Sequence, residues 1–308
     1  MQGTVVKNTG SAYLVRAEDG KNYLCHIKGN FRIKGIKSTN PVAVGDVVKF
    51  DVRAEEDCLI NDILPRRNYI VRRPANLSKQ LHIIAANLDQ AVLIVTVAHP
   101  ETSTVFIDRF LATCEAYSVP AVLAINKTDL YDAVDTEYMQ NLMTLYRTIG
   151  YECFPVSAKT GEGVDQLRDA MKGKVTLLAG NSGVGKSSLI NAVAPDFNAK
   201  TGDLSEVHDA GMHTTTFSEM YQIDDDSFLI DTPGVRGFGT IDFKKEEVGH
   251  YFPEIFKMSK DCKFGNCTHT HEPGCAVLDA VENHYISQSR YDSYLSIMDD
   301  EEEEKYRK

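Results

Sequence analysis

The feature that most constrains this chain is a glycine-rich stretch past its middle, Gly180-Asn-Ser-Gly-Val-Gly-Lys-Ser187. The apolar run Val175–Ala179 before it predicts a buried strand, and Ser188–Val193 after it predicts the first turns of a helix. This is the context of a P-loop, in which inward-turned backbone N–H groups and a helix N-terminus hold phosphate. The glycines permit backbone angles that residues with a Cβ avoid.

We predict that this loop binds the phosphates of a nucleotide. Lys186 supplies a positive charge for the β- and γ-phosphates, and the Ser187 hydroxyl can ligate Mg²⁺. The alternative is a glycine-rich turn with a chance lysine, against which the flanking strand and helix argue. The predicted phosphate-binding residues are Gly180, Asn181, Ser182, Gly183, Val184, Gly185, Lys186, Ser187 and Ser188.

Length and charge limit the class of protein. A chain of 308 residues exceeds one ordinary core, so we expect two or three domains. The net charge of −11 disfavours non-specific nucleic-acid binding by the chain as a whole. A local basic segment contains Arg66-Arg67 and Arg72-Arg73. It could be a small RNA-binding patch or a solvated linker, and the sequence does not distinguish these two interpretations.

Nothing in the sequence suggests a membrane protein. The longest apolar run, Ala91–Ala98, is too short to span a bilayer, and the first residues lack the basic and apolar parts of a signal peptide. The seven cysteines are an odd number, which favours a reducing compartment over a disulfide framework. We therefore expect a cytoplasmic protein.

Residues 1–67 are predicted to form an all-β domain. Short alternating runs separated by turn signals are typical of a small barrel, and the OB-fold is the commonest barrel of five strands. The basic segment that follows, residues 68–81, is interpreted as a linker because it lacks apolar periodicity. The predicted strands are Gly3–Lys7, Ala12–Arg16, Tyr23–His26, Val47–Arg53 and Cys58–Ile63.

Residues 82–240 are predicted to form an α/β domain. Apolar strands alternate with amphipathic helices, which predicts a mostly parallel sheet covered on both faces. The predicted strands are Ile83–Asn87, Ala91–Val97, Ala121–Ile125, Cys153–Val156, Val175–Ala179 and Ser227–Asp231. The predicted helices are Thr104–Tyr117, Glu137–Gly150 and Gly163–Met171, besides the helix after the glycine-rich loop.

A polar motif, Asn126-Lys127-Thr128-Asp129, directly follows the strand Ala121–Ile125. Ligands of parallel sheets bind at this carboxyl end of the strands. The carboxylate of Asp129 can accept from guanine N1–H and N2–H₂, for which adenine has no matching donors. Asn126 can brace the loop, and the stem of Lys127 can lie along the base. The motif therefore predicts GTP rather than ATP.

A second motif, Ser157-Ala158-Lys159, follows the strand Cys153–Val156. Its backbone N–H groups could meet guanine O6. Alone this motif is weak, but beside a P-loop and the first motif it strengthens the prediction of a guanine nucleotide.

The long polar segment Asn198–Met220 is typical of a functional loop. We predict that Thr215 completes the Mg²⁺ shell and senses the γ-phosphate, as switch loops do, and Thr214 is the second candidate for this role. A threonine-rich strand start is the alternative. Asp231 then ends a strand, where it fits the Mg²⁺ carboxylate of a P-loop enzyme, and the Gly234 N–H can meet the γ-phosphate.

The order of the motifs is unusual. In ordinary GTPases the P-loop comes first, whereas here both guanine motifs precede it and Asp231-Thr-Pro-Gly234 comes last. The chain is thus predicted to be circularly permuted, which compact domains with nearby termini tolerate.

The C-terminal residues 241–308 contain three cysteines and a histidine in the pattern Cys262-x4-Cys267-x-His269-x5-Cys275. Three thiolates and one imidazole match a closed, tetrahedral structural zinc site. A helical core this small needs additional stabilisation of the kind that a bound metal provides. His271 is the spare candidate ligand. The predicted helices are Lys244–Met258, Ala276–Tyr285 and Ser287–Met298.

With these motifs the chain resembles the ribosome small-subunit-dependent GTPase A family, RsgA, also called YjeQ or YloQ. The resemblance covers nearly the whole chain. It implies an N-terminal OB-like barrel, a circularly permuted α/β P-loop GTPase domain and a small α-helical zinc-binding domain. It further implies a GTPase in late maturation of the small ribosomal subunit, which binds rRNA through the barrel and zinc domain and is stimulated by the subunit. The implied ligands are GTP or GDP, Mg²⁺ and one structural Zn²⁺, and we expect a monomer.

The residue that orients the attacking water is not identified by the motifs. Many GTPases use a glutamine just after Asp-x-x-Gly, where this chain has Val235. The resemblance implies a histidine slightly further on, where this chain has Asp242. Asp242 and His213 remain weak candidates, with His250 a further one, and we expect a slow intrinsic rate.

Two other functions are compatible with parts of the sequence. A P-loop ATPase or small-molecule kinase is disfavoured by Asn126–Asp129. An RNA-binding assembly scaffold with a weakly hydrolysing GTP site stays open because of Val235 and Asp242.

Overall fold

The described residues between Gln2 and Ile63 form a five-stranded barrel, as the sequence predicts. In the computed structural model, which describes residues 1–10, 12–27, 41–52, 58–72, 82–195, 218–231 and 243–306, the strands pair in the order β1-β2-β3-β5-β4. β1 also pairs with β4, which closes the barrel around a small apolar core. The strands are β1 Gln2–Asn8, β2 Tyr13–Ala17, β3 Asn22–Ile27, β4 Val47–Val52 and β5 Cys58–Ile63.

Six strands form the centre of the molecule in the order β12-β13-β11-β8-β9-β10, and they are continuous with the barrel through the pairing of β12 with β1. Five of these strands are parallel, and β12 runs antiparallel to β13 at one edge. Their apolar residues face cores on both sides, so the predicted two-faced α/β domain is confirmed. The strands are β8 Gln90–Val95, β9 Ala121–Ile125, β10 Glu152–Pro155, β11 Val175–Gly180, β12 Glu219–Gln222 and β13 Phe228–Asp231.

Two helices cover each face of this sheet. Thr104–Ala116 and Ala133–Ile149 contribute to one core, and Val164–Met171 and Lys186–Val193 to the other. The second helix starts earlier than the predicted Glu137 because the Asp132 carboxylate caps it, accepting from the backbone N–H of Val134 at 2.8 Å and of Asp135 at 2.9 Å.

The segment predicted to be a linker contains a strand. β6, Tyr69–Arg72, pairs antiparallel with β7, His82–Ala86, in a separate two-stranded sheet. The three apolar residues Tyr69–Val71 lie between arginines in a basic segment, which explains why the sequence pattern missed this strand. Residues 73–81, in the rest of the segment, lie outside the described residues.

The two arginines before β6 both form ion pairs with acids near the connection between the barrel and the α/β domain. The Arg66 guanidinium is buried and pairs with Asp46 of the barrel at 2.6 Å. Arg67 pairs with Asp89, which precedes β8, at 2.6 Å. The idea of an RNA-binding patch is therefore wrong for Arg66, whose charge is already neutralised inside the molecule.

The C-terminal residues form a helical unit packed on the helix Thr104–Ala116. The predicted helix Lys244–Met258 is interrupted at Phe252, because Pro253 disfavours helical angles in the residue before it and starts a new helix. The helices are Lys245–Val248, the 3₁₀ turn Gly249–Tyr251, Pro253–Ser259, Ala276–Glu282 and Gln288–Tyr306.

A buried ion network joins this unit to the α/β domain. Arg290, which is 1% exposed, pairs with Asp108 at 2.7 Å and with Glu254 at 2.6 Å. The Tyr146 hydroxyl also donates to Asp108, at 2.7 Å. Across the described part of the chain, no helix is both long and apolar enough to traverse a lipid bilayer.

Candidate nucleotide site and metal centre

The glycine-rich loop connects β11 to the helix Lys186–Val193, as predicted. Gly183 and Gly185 have φ angles of 87° and 88°. A Cβ on Gly185 would lie 2.5 Å from Asn126 Nδ2, and one on Gly180 would lie 2.8 Å from the Ile94 carbonyl oxygen. Both contacts are too short for any side chain, so the loop requires glycine at these positions.

The loop presents its polar groups to solvent at the carboxyl edge of the sheet. Ser182, Ser187 and Ser188 are exposed, and Asn181 and Lys186 are half-buried, whereas Val184 is buried under the loop. A helix N-terminus whose polar residues are open to solvent can bind an anion.

Lys186 and Asp231 come together although 45 residues separate them. The Lys186 ammonium lies 2.6 Å from Asp231 Oδ1. Asp231 ends β13, which is the parallel neighbour of β11. The predicted phosphate-binding lysine and the predicted Mg²⁺ carboxylate thus occupy one place at the sheet edge.

Asn126 connects three loops. Its side chain is buried, its Nδ2 donates to the Val184 carbonyl oxygen at 2.8 Å, and its Oδ1 accepts from the Ala158 backbone N–H at 3.1 Å. The glycine-rich loop and both guanine motifs are therefore held together by one amide group. The bracing role inferred from the sequence corresponds to these two hydrogen bonds.

Asp129 lies at the predicted base-binding position with its side chain 13% exposed. Its Oδ1 accepts from the buried Ser157 hydroxyl at 2.7 Å, and the Lys159 ammonium lies 3.8 Å from Oδ2. These contacts fix the carboxylate between the two guanine motifs. The Thr128 backbone N–H donates to the Val156 carbonyl at 3.3 Å, which anchors the first motif to the second.

Two of the backbone N–H groups proposed for guanine O6 are hydrogen-bonded within the protein. The Ser157 N–H donates to the Glu162 carbonyl at 2.9 Å, and that of Ala158 donates to Asn126. Recognition of O6 by this motif remains a prediction.

A loop that the sequence analysis missed also lines the site. The Lys127 ammonium donates to the His99 carbonyl oxygen, and Pro100 lies 3.4 Å from the place that a Cβ on Gly183 would occupy. Thr96 and Thr102 close this loop through a 2.8 Å backbone hydrogen bond. Its only sequence signal is its position directly after β8, at the ligand-binding edge.

Tyr131 is another residue that the motifs did not reveal. Its hydroxyl donates to the Asn126 carbonyl and accepts from the Val97 N–H at 3.1 Å, so it connects the first guanine motif to the loop after β8. Burial raises the pKa of Tyr131, which keeps the hydroxyl protonated and able to donate.

Several predicted residues lie outside the described residues: His213, Thr214, Thr215, Gly234, Val235 and Asp242. Their roles stay predictions. His250 is described, and its ring packs edge-on against Phe256 at 5.1 Å in the C-terminal unit.

The predicted metal ligands converge. The Sγ atoms of Cys262, Cys267 and Cys275 and a ring nitrogen of His269 lie within 4.8 Å of one another. Nδ1 of His269 is 3.6 Å from Cys262 Sγ and 3.4 Å from Cys275 Sγ, and these two sulfur atoms are 3.9 Å apart. Tetrahedral zinc with Zn–S bonds of about 2.3 Å places its ligand atoms roughly 3.5–3.8 Å apart, which is close to these three distances.

His269 rather than His271 belongs to this cluster. Burial lowers the pKa of His269 and favours the neutral imidazole that ligates metals. His271 is exposed, and its Nδ1 contacts the Thr270 hydroxyl at 2.8 Å.

The loop that carries His269 is fixed by its own hydrogen bonds. The Glu272 carboxylate accepts from the backbone N–H groups of Thr268 at 2.7 Å and Thr270 at 3.0 Å. The Tyr291 hydroxyl donates to the His269 carbonyl at 2.7 Å. The three thiols and the imidazole therefore form a preorganised group that could hold a metal ion.

Comparison with known proteins agrees with this geometry. The RsgA N-terminal domain family matches residues 2–60, and the RsgA GTPase family matches residues 63–241. A protein of Phocaeicola vulgatus, named small ribosomal subunit biogenesis GTPase RsgA, is 62% identical over 307 residues, covering 100% of this chain and 99% of its own length. A protein of the same name from Porphyromonas gingivalis is 58% identical, with the same coverage.

Two crystal structures share the whole architecture. YjeQ from Thermotoga maritima matches with a TM-score of 0.78 and 35% identity, covering 96% of each chain. YloQ, described as a circularly permuted GTPase, matches with a TM-score of 0.74 and 33% identity, covering 100% of this chain and 96% of its own. The barrel, the permuted order of the motifs and the full-length identity lead to one conclusion: the chain belongs to the RsgA family of GTPases.

Proposed function

We propose that this GTPase acts in the biogenesis of the small ribosomal subunit, where it binds rRNA and is stimulated by the subunit. The observation that carries the proposal is the convergence of the two guanine motifs and the phosphate loop on Asn126. The names of its full-length relatives supply the ribosomal context.

Each part of the nucleotide has a proposed set of residues. Asp129 selects guanine by accepting two hydrogen bonds, and Ser157 and Lys159 hold its carboxylate in place. The backbone N–H groups of the phosphate loop and the Lys186 ammonium neutralise the β- and γ-phosphates.

A magnesium ion would be held by Ser187, Thr215 and Asp231, the carboxylate and hydroxyl donors that this ion prefers. When bound, it neutralises the phosphate charge that grows during transfer. Asp231 fits this role because it lies beside Lys186 at the carboxyl end of β13. The assignments of Thr215 to the magnesium ion and of the Gly234 N–H to the γ-phosphate rest on the sequence motifs alone.

The chain itself offers no side chain with an assigned role in orienting the attacking water. Val235 cannot hydrogen-bond to water, and Asp242 and His213 are the candidates. We therefore expect slow hydrolysis by the isolated protein and faster hydrolysis when the small subunit orders the site.

We propose that the Cys262, Cys267, His269 and Cys275 group holds one structural zinc ion. Four protein ligands fill a tetrahedral shell and leave no position for a substrate. The odd number of cysteines, seven, favours a reducing compartment, and we expect a cytoplasmic location. We expect the protein to act as a monomer.

The test is phosphate release from GTP by the purified protein, alone, with small ribosomal subunits and with large subunits. The proposal expects stimulation by small subunits only. Lys186→Ala should abolish release under every condition because the phosphates lose their main side-chain contact. GTP binding without stimulation by either subunit would contradict the proposal and favour a scaffold with a nearly inactive site.

A further inference from the structure

Four charged side chains form a row from the barrel to the phosphate loop. The Lys7 ammonium on β1 pairs with Glu219 Oε2 on β12 at 2.9 Å. At the other end, Lys186 pairs with Asp231 on β13 at 2.6 Å. Two carboxylates thus stand between two ammonium groups, one from each domain.

The strand register places the two carboxylates side by side. Lys7 is the direct partner of Glu219 in the β1–β12 pair, and Glu219 is the direct partner of Asp231 in the β12–β13 pair. Direct partners in antiparallel strands point to the same face, with Cβ atoms about 4.5–5.5 Å apart. Like charges at such positions destabilise each other unless each has a counter-charge.

Tyr221 confirms that both acids share one face. Its hydroxyl donates to Glu219 Oε2 at 3.0 Å, and its ring packs on the core beneath the helix Lys186–Val193. Burial, followed by the charges of Glu219 and Asp231, raises the pKa of Tyr221. The row therefore runs along the face on which the phosphate loop lies.

We propose that Lys7 and Glu219 are positioning residues for the nucleotide site, with Lys7 of the barrel neutralising Glu219 beside Asp231. This inference rests on the proposed binding of magnesium nucleotide by Lys186 and Asp231. It makes the barrel an electrostatic part of that site.

Loss of the Lys7 charge would leave Glu219 without its ion-pair partner. The added negative charge beside Asp231 would hold Lys186 more strongly and would repel the nucleotide phosphates. By linkage, bound nucleotide must in turn change the strength with which β1 is held to β12.

The experiment measures the affinity of the full chain for fluorescent GDP and GTP analogues while the Mg²⁺ concentration is varied. Lys7→Gln should weaken GDP affinity by about three- to tenfold at low salt, as expected for an unscreened charge roughly 10 Å away. The loss should shrink near about 1 M salt, where such charges are screened. Lys7→Arg should keep wild-type affinity, and Lys7→Gln with Glu219→Gln should recover it.

Arg16→Gln is the matched control. Arg16 also crosses from the barrel to β12, donating to Gln222 and lying 5.8 Å from the Phe228 ring centroid, but Gln222 is opposite Phe228 rather than an acid. This variant removes one positive charge and one domain contact without touching the row, so its nucleotide affinity should stay within about twofold of wild type.

Equal GDP affinities of Lys7→Gln and Arg16→Gln would overturn the inference. A double variant, Lys7→Gln with Glu219→Gln, that bound GDP no more tightly than Lys7→Gln alone would also overturn it. A wild-type chain that bound no guanine nucleotide would refute the proposed function itself. The two failures are therefore distinguishable.

Discussion

At the scale of single residues, the proposed nucleotide site depends on a few side chains that form hydrogen bonds to neighbouring loops. Asn126 and Ser157 are buried and hold the phosphate loop and Asp129 in place. Removing either would leave buried polar groups without partners, which costs about 1–3 kcal/mol per group. We therefore expect base selection and phosphate binding to be coupled through these residues.

Asp129→Asn should change the preferred base. The amide would offer one acceptor and one donor where the carboxylate offers two acceptors, so guanine should bind about 10–100-fold more weakly, as expected for the loss of a charged hydrogen bond. Xanthine carries a carbonyl in place of the guanine amino group, so a xanthine nucleotide should bind to Asp129→Asn more tightly than it binds to wild type. Competition between GTP and XTP measures this exchange; unchanged GTP affinity would remove Asp129 from the base site.

Gly185→Ala should abolish nucleotide binding and lower stability. The added Cβ would lie 2.5 Å from Asn126 Nδ2, at a φ of 88°. Gly20→Ala is the control, since Gly20 has a φ of 78° with no atom within 4 Å of an added Cβ. The backbone strain of about 1–2 kcal/mol is common to both variants, so a larger thermal destabilisation in Gly185→Ala reports the contact with Asn126. Equal behaviour would show that the loop tolerates the side chain.

Sequence reasoning found the residues with chemical signatures and missed those without one. Residue type and position after a strand indicate a ligand-binding role for the two guanine motifs, for Lys186 and for Asp231. His99 contributes a backbone carbonyl, and Tyr131 contributes an ordinary hydroxyl. Only the three-dimensional contacts with Lys127 and Asn126 reveal their part in the site.

At the scale of elements, the helix Thr104–Ala116 is the support on which the C-terminal unit rests. Asp108 of this helix pairs with Arg290 of the last helix, and both side chains are at most 1% exposed. A buried pair of this kind contributes little over an apolar pair, but breaking it leaves a charge unpaired in the interior.

Arg290→Met should therefore destabilise the protein by about 3–5 kcal/mol, measured by chemical unfolding. Lys244→Met is the control within the same unit, because Lys244 is 75% exposed in its pair with Glu247 and should contribute at most about 1 kcal/mol. Similar losses in the two variants would show that the Asp108 pair does not hold the units together.

The loss in Arg290→Met should depend on pH. Burial raises the pKa of Asp108 above its ordinary value of 3.8, and the variant lacks the cation that opposes this shift. A raised native pKa means that the folded state binds the proton more tightly than the unfolded state does. The free energy of unfolding of the variant should therefore recover as the pH falls from above the native pKa of Asp108 toward the ordinary value of 3.8. Stability of the Arg290→Met variant that declines steadily as the pH falls would contradict this assignment.

Periodicity predicted the main elements better than it predicted their ends. The strands of the barrel and the five parallel strands of the sheet agree within a few residues because alternating and continuous apolar runs are strong signals. The edge strand β12 was not predicted, since its start lies in the segment Asn198–Met220 that was interpreted as a loop. The Asp132 cap and the break at Phe252 were visible in principle, as a capping residue and as a residue before proline. β6 was not predicted, because its few apolar residues lie among arginines and the strand is defined by its pairing with β7.

At the scale of the whole molecule, three units are joined by ion pairs that the sequence could not indicate. Arg66 and Arg67 fix the barrel, Lys7 links it to β12, and Arg290 fixes the C-terminal unit. Each pair brings together residues far apart in the chain, whereas sequence patterns report only neighbours.

The metal centre should be needed for the C-terminal unit and not for nucleotide binding. Cys267→Ser should reduce the metal content well below one zinc per chain and lower the melting temperature, since structural zinc contributes about 10–16 kcal/mol of binding energy to folding in small domains. His271→Ala is the control and should retain the metal, because His271 lies outside the cluster. Elemental analysis of both proteins gives the answer; full zinc content in Cys267→Ser would remove that residue from the ligand set.

The measurement that tests the central claim most directly is sedimentation of the full chain with small ribosomal subunits in the presence of GDP or a non-hydrolysable GTP analogue, with large subunits as control. A nucleotide site linked to the barrel and the C-terminal unit predicts that the protein pellets with small subunits more with the GTP analogue than with GDP. Equal pelleting with both nucleotides, or no preference for small over large subunits, would contradict a GTP-controlled function on the small subunit.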